Sequence, residues 1–358
     1  MHRFIVGTGR CGSTMLSEML ADHPDLLVFS EFFSTIDREG AFRQSPAAGR
    51  AFAEVLRRPH LINDLIGMRN SLLNAQGAAK FTRELTDEVR NWKSLPGLHL
   101  GLSSIGGADT ETLVRDTLAF VETFPVRHFG EHYRAMFAWL AQRLGRSAGW
   151  LERSGTSIEL LGRYADFFPG ARFVHIHRHG PSVALSLRAH RYIGLFASYH
   201  LDPPDAQEIE RTLFGPVGGE DDPVIQRLTT KLPSIERFGE YWSWMLTRGM
   251  RDLHKVNPEN YLPIRYEDLV ARPQATLTQI AQFFGLRPDD NWLQKAAVRV
   301  DSEASADRLT ELDPTIRAAL EKACRPGQVL LGREDADGLD PTFFDMRAAL
   351  AARGRLSI

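Results

Sequence analysis

Arg3-Phe4-Ile5-Val6-Gly7-Thr8-Gly9-Arg10-Cys11-Gly12-Ser13-Thr14 decides how the rest of the chain is read. Phe4 to Val6 is a short apolar run stopped by glycine, as a buried strand would be. Ser13 and Thr14 then open a segment with Met15, Leu16, Met19 and Leu20 at helical spacing, and Pro24 ends it. A strand, a Gly-rich turn and a helix start aim backbone N–H groups and the positive end of a helix at one point, which is how phosphate and sulfate are held. Gly7 and Gly12 have the spacing of a nucleoside-triphosphate loop, but Ser13 stands where that loop requires Lys. The positive charge sits at Arg10 instead. The missing lysine serves the β- and γ-phosphates of ATP or GTP, and no strand ends in an obvious Mg-holding Asp. Glycines alone make only a tight turn; the in-loop Arg and the Ser-Thr helix start favour an anion site.

Working outward, Leu26 to Phe29 predicts a second parallel strand, next to the first and ending at Ser30-Glu31. Residues 34–130 show short helical patterns broken by Gly and Pro, with no strand rhythm, and read as a helical insertion or cap. Alternation returns with a helix from Glu131 to Leu144, a strand at Gly149 to Glu152 and a helix through Ile158, Leu161 and Tyr164. A strand at Arg172 to His177 and a helix opening at Pro181 follow. Strand and helix in turn predict a parallel sheet covered on both faces, hence a three-layer α/β, P-loop-like fold in one domain over residues 1–358. Residues 191–232, with Asp202-Pro203-Pro204 and Gly215 to Asp222, read as a lid or a plain surface loop. A helix with Phe238, Trp242 and Met245, a last strand at Tyr261 to Arg265 and a closing amphipathic helix at Thr276 to Phe284 complete the reading.

A second constellation lies in Arg172-Phe173-Val174-His175-Ile176-His177-Arg178-His179-Gly180-Pro181-Ser182-Val183-Ala184-Leu185-Ser186. Arg178 falls at a strand end and Ser186 about a turn and a half into the next helix. Held together, the Arg fork and the hydroxyl grip a dianionic phosphate. Taken singly, each reads better as a surface Arg and a helix Ser bonded to its own backbone.

These residues resemble the sulfotransferase superfamily. Its phosphosulfate loop has the form basic-x-Gly-Ser/Thr-Thr after the first strand, and Arg10-Cys11-Gly12-Ser13-Thr14 fills every position. Arg in place of Lys is similar to the tyrosylprotein and bacterial branches, and Glu152-Arg153-Ser154-Gly155 before the Arg172-Phe173-Val174-His175 strand is similar to bacterial stand-alone and polyketide-associated enzymes. The resemblance implies 3′-phosphoadenosine 5′-phosphosulfate (PAPS) as co-substrate, adenosine 3′,5′-bisphosphate (PAP) as product and no metal. It implies that the loop binds the 5′-phosphosulfate, and that Arg178 and Ser186, eight residues apart, bind the 3′-phosphate. It places Arg153 near the transferred group, where the family often has Lys, and Tyr266 of Tyr266-Glu267-Asp268-Leu269 at the adenosine pocket. In the tyrosylprotein branch a Glu lies 21 residues after the loop Arg and acts as base; Glu31 has that interval from Arg10. The small-molecule enzymes use His, which makes His128 and His132 the rivals.

Composition bounds the partners. With 43% hydrophobic and 25% charged residues the chain has material for a core, and a net charge of -2 argues against a general nucleic-acid binder. Two distant cysteines, Cys11 and Cys324, suggest neither disulfide framework nor zinc site, and fit a reducing, cytoplasmic compartment. No window reads as a signal peptide or membrane span. The expected reaction is sulfuryl transfer to a hydroxyl on a small molecule, lipid, sugar or polyketide, the insertion forming much of the acceptor pocket. A P-loop kinase or hydrolase and a non-catalytic nucleotide-binding module are the alternatives. Neither the acceptor nor the oligomeric state is legible.

Overall fold

A computed structural model describes residues 1–36, 38–58, 97–105, 109–189, 193–194, 197, 200–201, 233–300 and 308–334. The expected lid over 191–232 lies almost wholly outside them.

Among the described residues five parallel strands form the sheet. They are β1 (Arg3–Val6), β2 (Leu26–Ser30), β3 (Gly149–Arg153), β4 (Arg172–His177) and β5 (Tyr261–Arg265), in the lateral order β2-β3-β1-β4-β5. Helix α1 (Ser13–Ala21) follows β1. Between β2 and β3 the described residues form α2 (Phe32–Thr35), α3 (Arg38–Ala41), α4 (Gly49–Arg57), α5 (Gly97–Ser103), α6 (Thr110–Glu122) and α7 (Phe129–Arg143). A 3₁₀ turn (Ser157–Leu160) and α8 (Leu161–Phe167) lead to β4, then α9 (Gly180–Arg188) and α10 (Ile235–Arg251) to β5. After β5 the described residues form α11 (Tyr266–Ala271), α12 (Pro273–Phe284), α13 (Asp290–Ala297) and α14 (Pro314–Leu330).

Successive strand side chains point to opposite faces, so apolar runs without alternation must be covered twice. Phe4, Val6, Phe29 and Phe173 face one layer, packed by Phe137 of α7, Tyr164 of α8 and Trp242 of α10. Ile5, Val28, Val174 and Ile176 face the other, with Leu16 and Met19 of α1 and Ile280 of α12. The Phe4 ring stacks at 4.6 Å on Tyr164 and 5.5 Å on Phe173. Burying each such ring contributes roughly 1.5–3 kcal/mol, which anchors the central strand and the loop it carries.

Two expectations are corrected. β2 does not lie beside β1, because β3 runs between them, pairing Phe4 with Glu152 on one side and Leu27 with Trp150 on the other. Trp150 and Leu151 are both buried, so β3 is covered on both faces; β2 is too, and it is pairing rather than burial that puts β3 inside the sheet and β2 at its edge. The chain also does not close at Phe284. α14 packs against α10 through buried Leu320 and Cys324, despite carrying Pro326 within the helix.

The order sets the site. From β1 the chain moves out to β2, returns through β3, then crosses to β4 on the other side of β1. The crevice at the carboxyl ends of β3, β1 and β4 is thus the switch point where ligands bind in open α/β sheets.

Candidate active site

Three non-glycine residues among those described have positive φ: Arg10 (52°), Glu31 (63°) and Thr156 (55°). All follow strand ends at this crevice. Left-handed backbone at non-glycine positions costs free energy and persists only where the surroundings impose it, as at functional sites. The loop after β1 is fastened on both sides: Ile158 N–H donates to Gly7 O at 3.1 Å, and the Gly9 α-carbon faces Thr156.

Gly12, at φ 94°, begins α1 without a side-chain cap. A Cβ there would lie 2.3 Å from Cδ2 of Tyr266, so the ring occupies the space a side chain would need. The Arg178 guanidinium lies 4.5 Å from the centre of the same ring. Gly12, Tyr266 and Arg178 are thereby stacked, although they come from the loop, from α11 and from the end of β4. Arg10 Nε donates to Ser186 Oγ at 3.0 Å, which joins the first constellation to the second. Ser13 is buried and Thr14 exposed. Cys11 turns inward: its buried thiol is pushed up by desolvation, so it offers the site only backbone.

Glu31 and Arg153 meet. The Arg153 guanidinium pairs with Glu31 Oε1, Gly155 N–H donates to Oε2 at 2.7 Å, and Glu31 N–H donates to Arg153 O at 2.6 Å. Arg153 Nε reaches Ser17 Oγ in α1 at 3.3 Å. The predicted base and the predicted sulfuryl-binding cation therefore hold each other across the ends of β2 and β3, under the start of α1.

The two candidate histidines are engaged by other partners. His132 is fully buried between the rings of Phe52 and Phe124; its Nε2 donates to Ala47 O at 2.8 Å and its Nδ1 accepts from Arg127 Nε at 3.1 Å. Burial holds it below the usual histidine range, and neither nitrogen is left to take a proton. His128 precedes α7, with Nδ1 on Gln44 O at 3.2 Å and its N–H donating to Glu131.

Residues 4–213 and 225–290, well over half of the chain, match the Sulfotransferase family. The chain belongs to the sulfotransferase family. It is an enzyme of sulfuryl transfer. Among solved structures the chain is similar to the sulfotransferase domain of the Synechococcus PCC 7002 olefin synthase, at 19% identity and TM-score 0.45, covering 98% of this chain and 94% of that one. It is also similar to the sulfotransferase domain of the curacin biosynthetic pathway (17%, TM-score 0.46, covering 98% and 96%) and to sulfotransferase STF9 from Mycobacterium avium (15%, TM-score 0.45, covering 92% and 76%). A search of curated proteins returns no match. No group among the described residues has the make-up of a metal site, and no described helix is long and apolar enough to cross a membrane.

Two features of this sulfotransferase escape the sequence reading. The first is Glu152, fully buried beside the Glu31–Arg153 pair, with Oε1 bonded to the Ser154 hydroxyl and Oε2 without a partner among the described residues. Burial first, and the charge of Glu31 in addition, push its carboxyl up to about 8. It is therefore neutral at pH 7 and leaves the Arg153 charge to Glu31. An unfolded chain releases this proton near 4.5 whereas the folded one keeps it to about 8, so folding stability falls as pH rises through that window. The full excursion is worth about 5 kcal/mol. Glu152→Gln is expected to match wild type near pH 5 and to melt progressively higher than wild type toward pH 8. Parallel melting profiles across that range would mean that Glu152 is ionised in the fold. The second feature is Arg333, which pairs with Glu267.

Proposed function

We propose that this enzyme transfers the sulfuryl group of PAPS to a hydroxyl on a small molecule, lipid, sugar or polyketide, releasing PAP. The observation that carries this reading is the Arg10–Ser186 contact, which makes one continuous anion-binding surface from two constellations, as a nucleotide with both 5′ and 3′ charged groups requires. A nucleoside triphosphate has no such need, and Ser13 leaves its γ-phosphate without a lysine.

In the reaction the acceptor oxygen forms a bond to sulfur as the bond from sulfur to the 5′-phosphate oxygen breaks, and the acceptor proton passes to Glu31. Arg10 and the N–H groups of the loop bear the charge that grows on the leaving oxygen. Arg153 moves its guanidinium from Glu31 to the sulfuryl oxygens as the donor enters, which frees a lone pair of Glu31 for the proton. Tyr266 lines the adenosine pocket, and Arg178 with Ser186 binds the 3′-phosphate. Helices α2 to α7 contribute the acceptor pocket, since α2 begins directly after Glu31. Both cysteines are buried and unpaired, which suits the cytoplasm.

Thermal shift tests the donor. PAP is expected to raise the melting temperature more than AMP or ATP with Mg, and Arg178→Ala to abolish the advantage over AMP. Equal stabilisation of wild type by PAP and AMP would remove the 3′-phosphate site, and preference for ATP with Mg would favour a kinase. Turnover of labelled PAPS with a panel of hydroxyl acceptors distinguishes the enzyme from a binding module.

A further inference from the structure

Arg333 lies just beyond α14, far in sequence from the strand ends that form the candidate site, yet its side chain is only 10% exposed. Its Nη2 and Nη1 donate to the two carboxylate oxygens of Glu267 at 2.7 and 3.3 Å, a fork-to-fork pairing. Its Nε and Nη2 also approach His177 Nδ1, at 3.3 and 3.2 Å. Glu267 in turn accepts from the backbone N–H of His179 at 3.0 Å. Gln328, at the end of α14, accepts from Gly180 N–H at 3.1 Å.

The residues gripped in this way are 177, 179 and 180 on either side of Arg178, and 267 next to Tyr266, the ring over which Arg178 lies. Burial acts to raise the Glu267 carboxyl, and the Arg333 pairing outweighs it and holds the group below the usual range. The pairing therefore stands at neutral pH. His177, held neutral by burial and with Nδ1 accepting from Arg333, adds no charge beside Arg178. The N–H groups of His179 and Gly180 at the start of α9 are spent on Glu267 and Gln328. Recognition of an anion there falls to the side chains of Arg178 and Ser186, whose aim then depends on how firmly the β4–α9 turn is held.

We infer that Arg333 is a positioning residue for the donor's 3′-phosphate: through Glu267 and His177 it fixes the backbone around Arg178. This rests on the reading of Arg178 and Ser186 as the 3′-phosphate site. Arg333 acts through other residues, so removing its partner has the same effect as removing Arg333.

Calorimetric titration of the purified full chain with PAP and with AMP tests this. Arg333→Gln is expected to lower the ratio of PAP to AMP affinity on the order of tenfold, the scale of one charge-assisted hydrogen bond, with AMP affinity little changed. Glu267→Gln decides the mechanism. A carboxylate near a bound phosphate repels it, so by charge alone its removal strengthens PAP binding; positioning requires that it weaken PAP binding about as much as Arg333→Gln does. The double variant is expected to lose no more than either single one, the mark of residues acting as a unit. Arg333→Lys, which keeps charge without the fork, guards against misfolding and is expected to fall with Arg333→Gln in the ratio while melting near wild type. Tighter PAP binding by Glu267→Gln, or additive losses in the double variant, would overturn the inference in favour of direct phosphate contact by Arg333. A wild-type chain that binds PAP and AMP alike would instead overturn the 3′-phosphate reading beneath it.

Discussion

Glu31→Gln is expected to reduce turnover on the order of 10²-fold or more while leaving PAP affinity intact, the scale of a lost general base. Glutamine keeps the shape and can still accept from Gly155 N–H, so the loop after β2 retains its left-handed turn at φ 63°. It cannot take the acceptor proton. It also weakens the hold on Arg153, whose Nε still donates to Ser17 Oγ at 3.3 Å. The rate loss is thus expected in kcat, with the donor's KM unchanged or lower, because a loosened Arg153 attracts the phosphosulfate more strongly. His132 offers no alternative, since both its nitrogens are engaged. Near-normal turnover in Glu31→Gln combined with a large loss in His128→Ala would transfer the role of base to histidine.

Arg10→Ala is expected to cost more in turnover than in product binding. A donor aimed at developing charge is worth about 10²–10³ in rate where an enzyme excludes water, whereas in the ground state it adds one contact among several. Arg10 is held toward the site from two directions, by its own left-handed backbone and by the 3.0 Å bond to Ser186. That restraint lowers the entropy lost on engaging the leaving oxygen. Single-turnover rates with PAPS, set beside PAP affinity, separate the two effects. Normal single-turnover chemistry with weakened PAP binding would make Arg10 a simple anchor.

What could be read from the sequence was what is local. The β1 loop, the β4–α9 turn and their apolar flanks carry period, glycine placement and charge within a few residues, and each lies where its sequence implied. Sheet order is not local. Leu26 to Phe29 looks the same whether its neighbour is β1 or β3, and β2 and β3 are alike buried on both faces, so only the pairing of residues more than a hundred positions apart sets the order. α14 was obscured by Pro326-Gly327, a dipeptide that normally breaks helices; here packing against α10 overrides the lost backbone hydrogen bond. Glu31 and Arg153 each stood out in the sequence as separate candidates, but their pairing spans 122 residues. Glu152, quoted within a motif, gave no sign that it would be buried with one oxygen unpartnered among the described residues. Arg333 had no local signal, because its meaning lies entirely in residues 66 and 156 positions away.

That last separation carries a consequence for synthesis. Chains emerge from the ribosome at about 5–20 residues per second, and domains fold as they appear. β4 is therefore made roughly 8–30 seconds before Arg333 exists to hold its far end. A nascent chain with β1, β3 and β4 already paired has Arg10, Arg178 and Ser186 but not the residues that grip the β4–α9 turn. Donor discrimination is, on this account, among the last properties the growing polypeptide acquires.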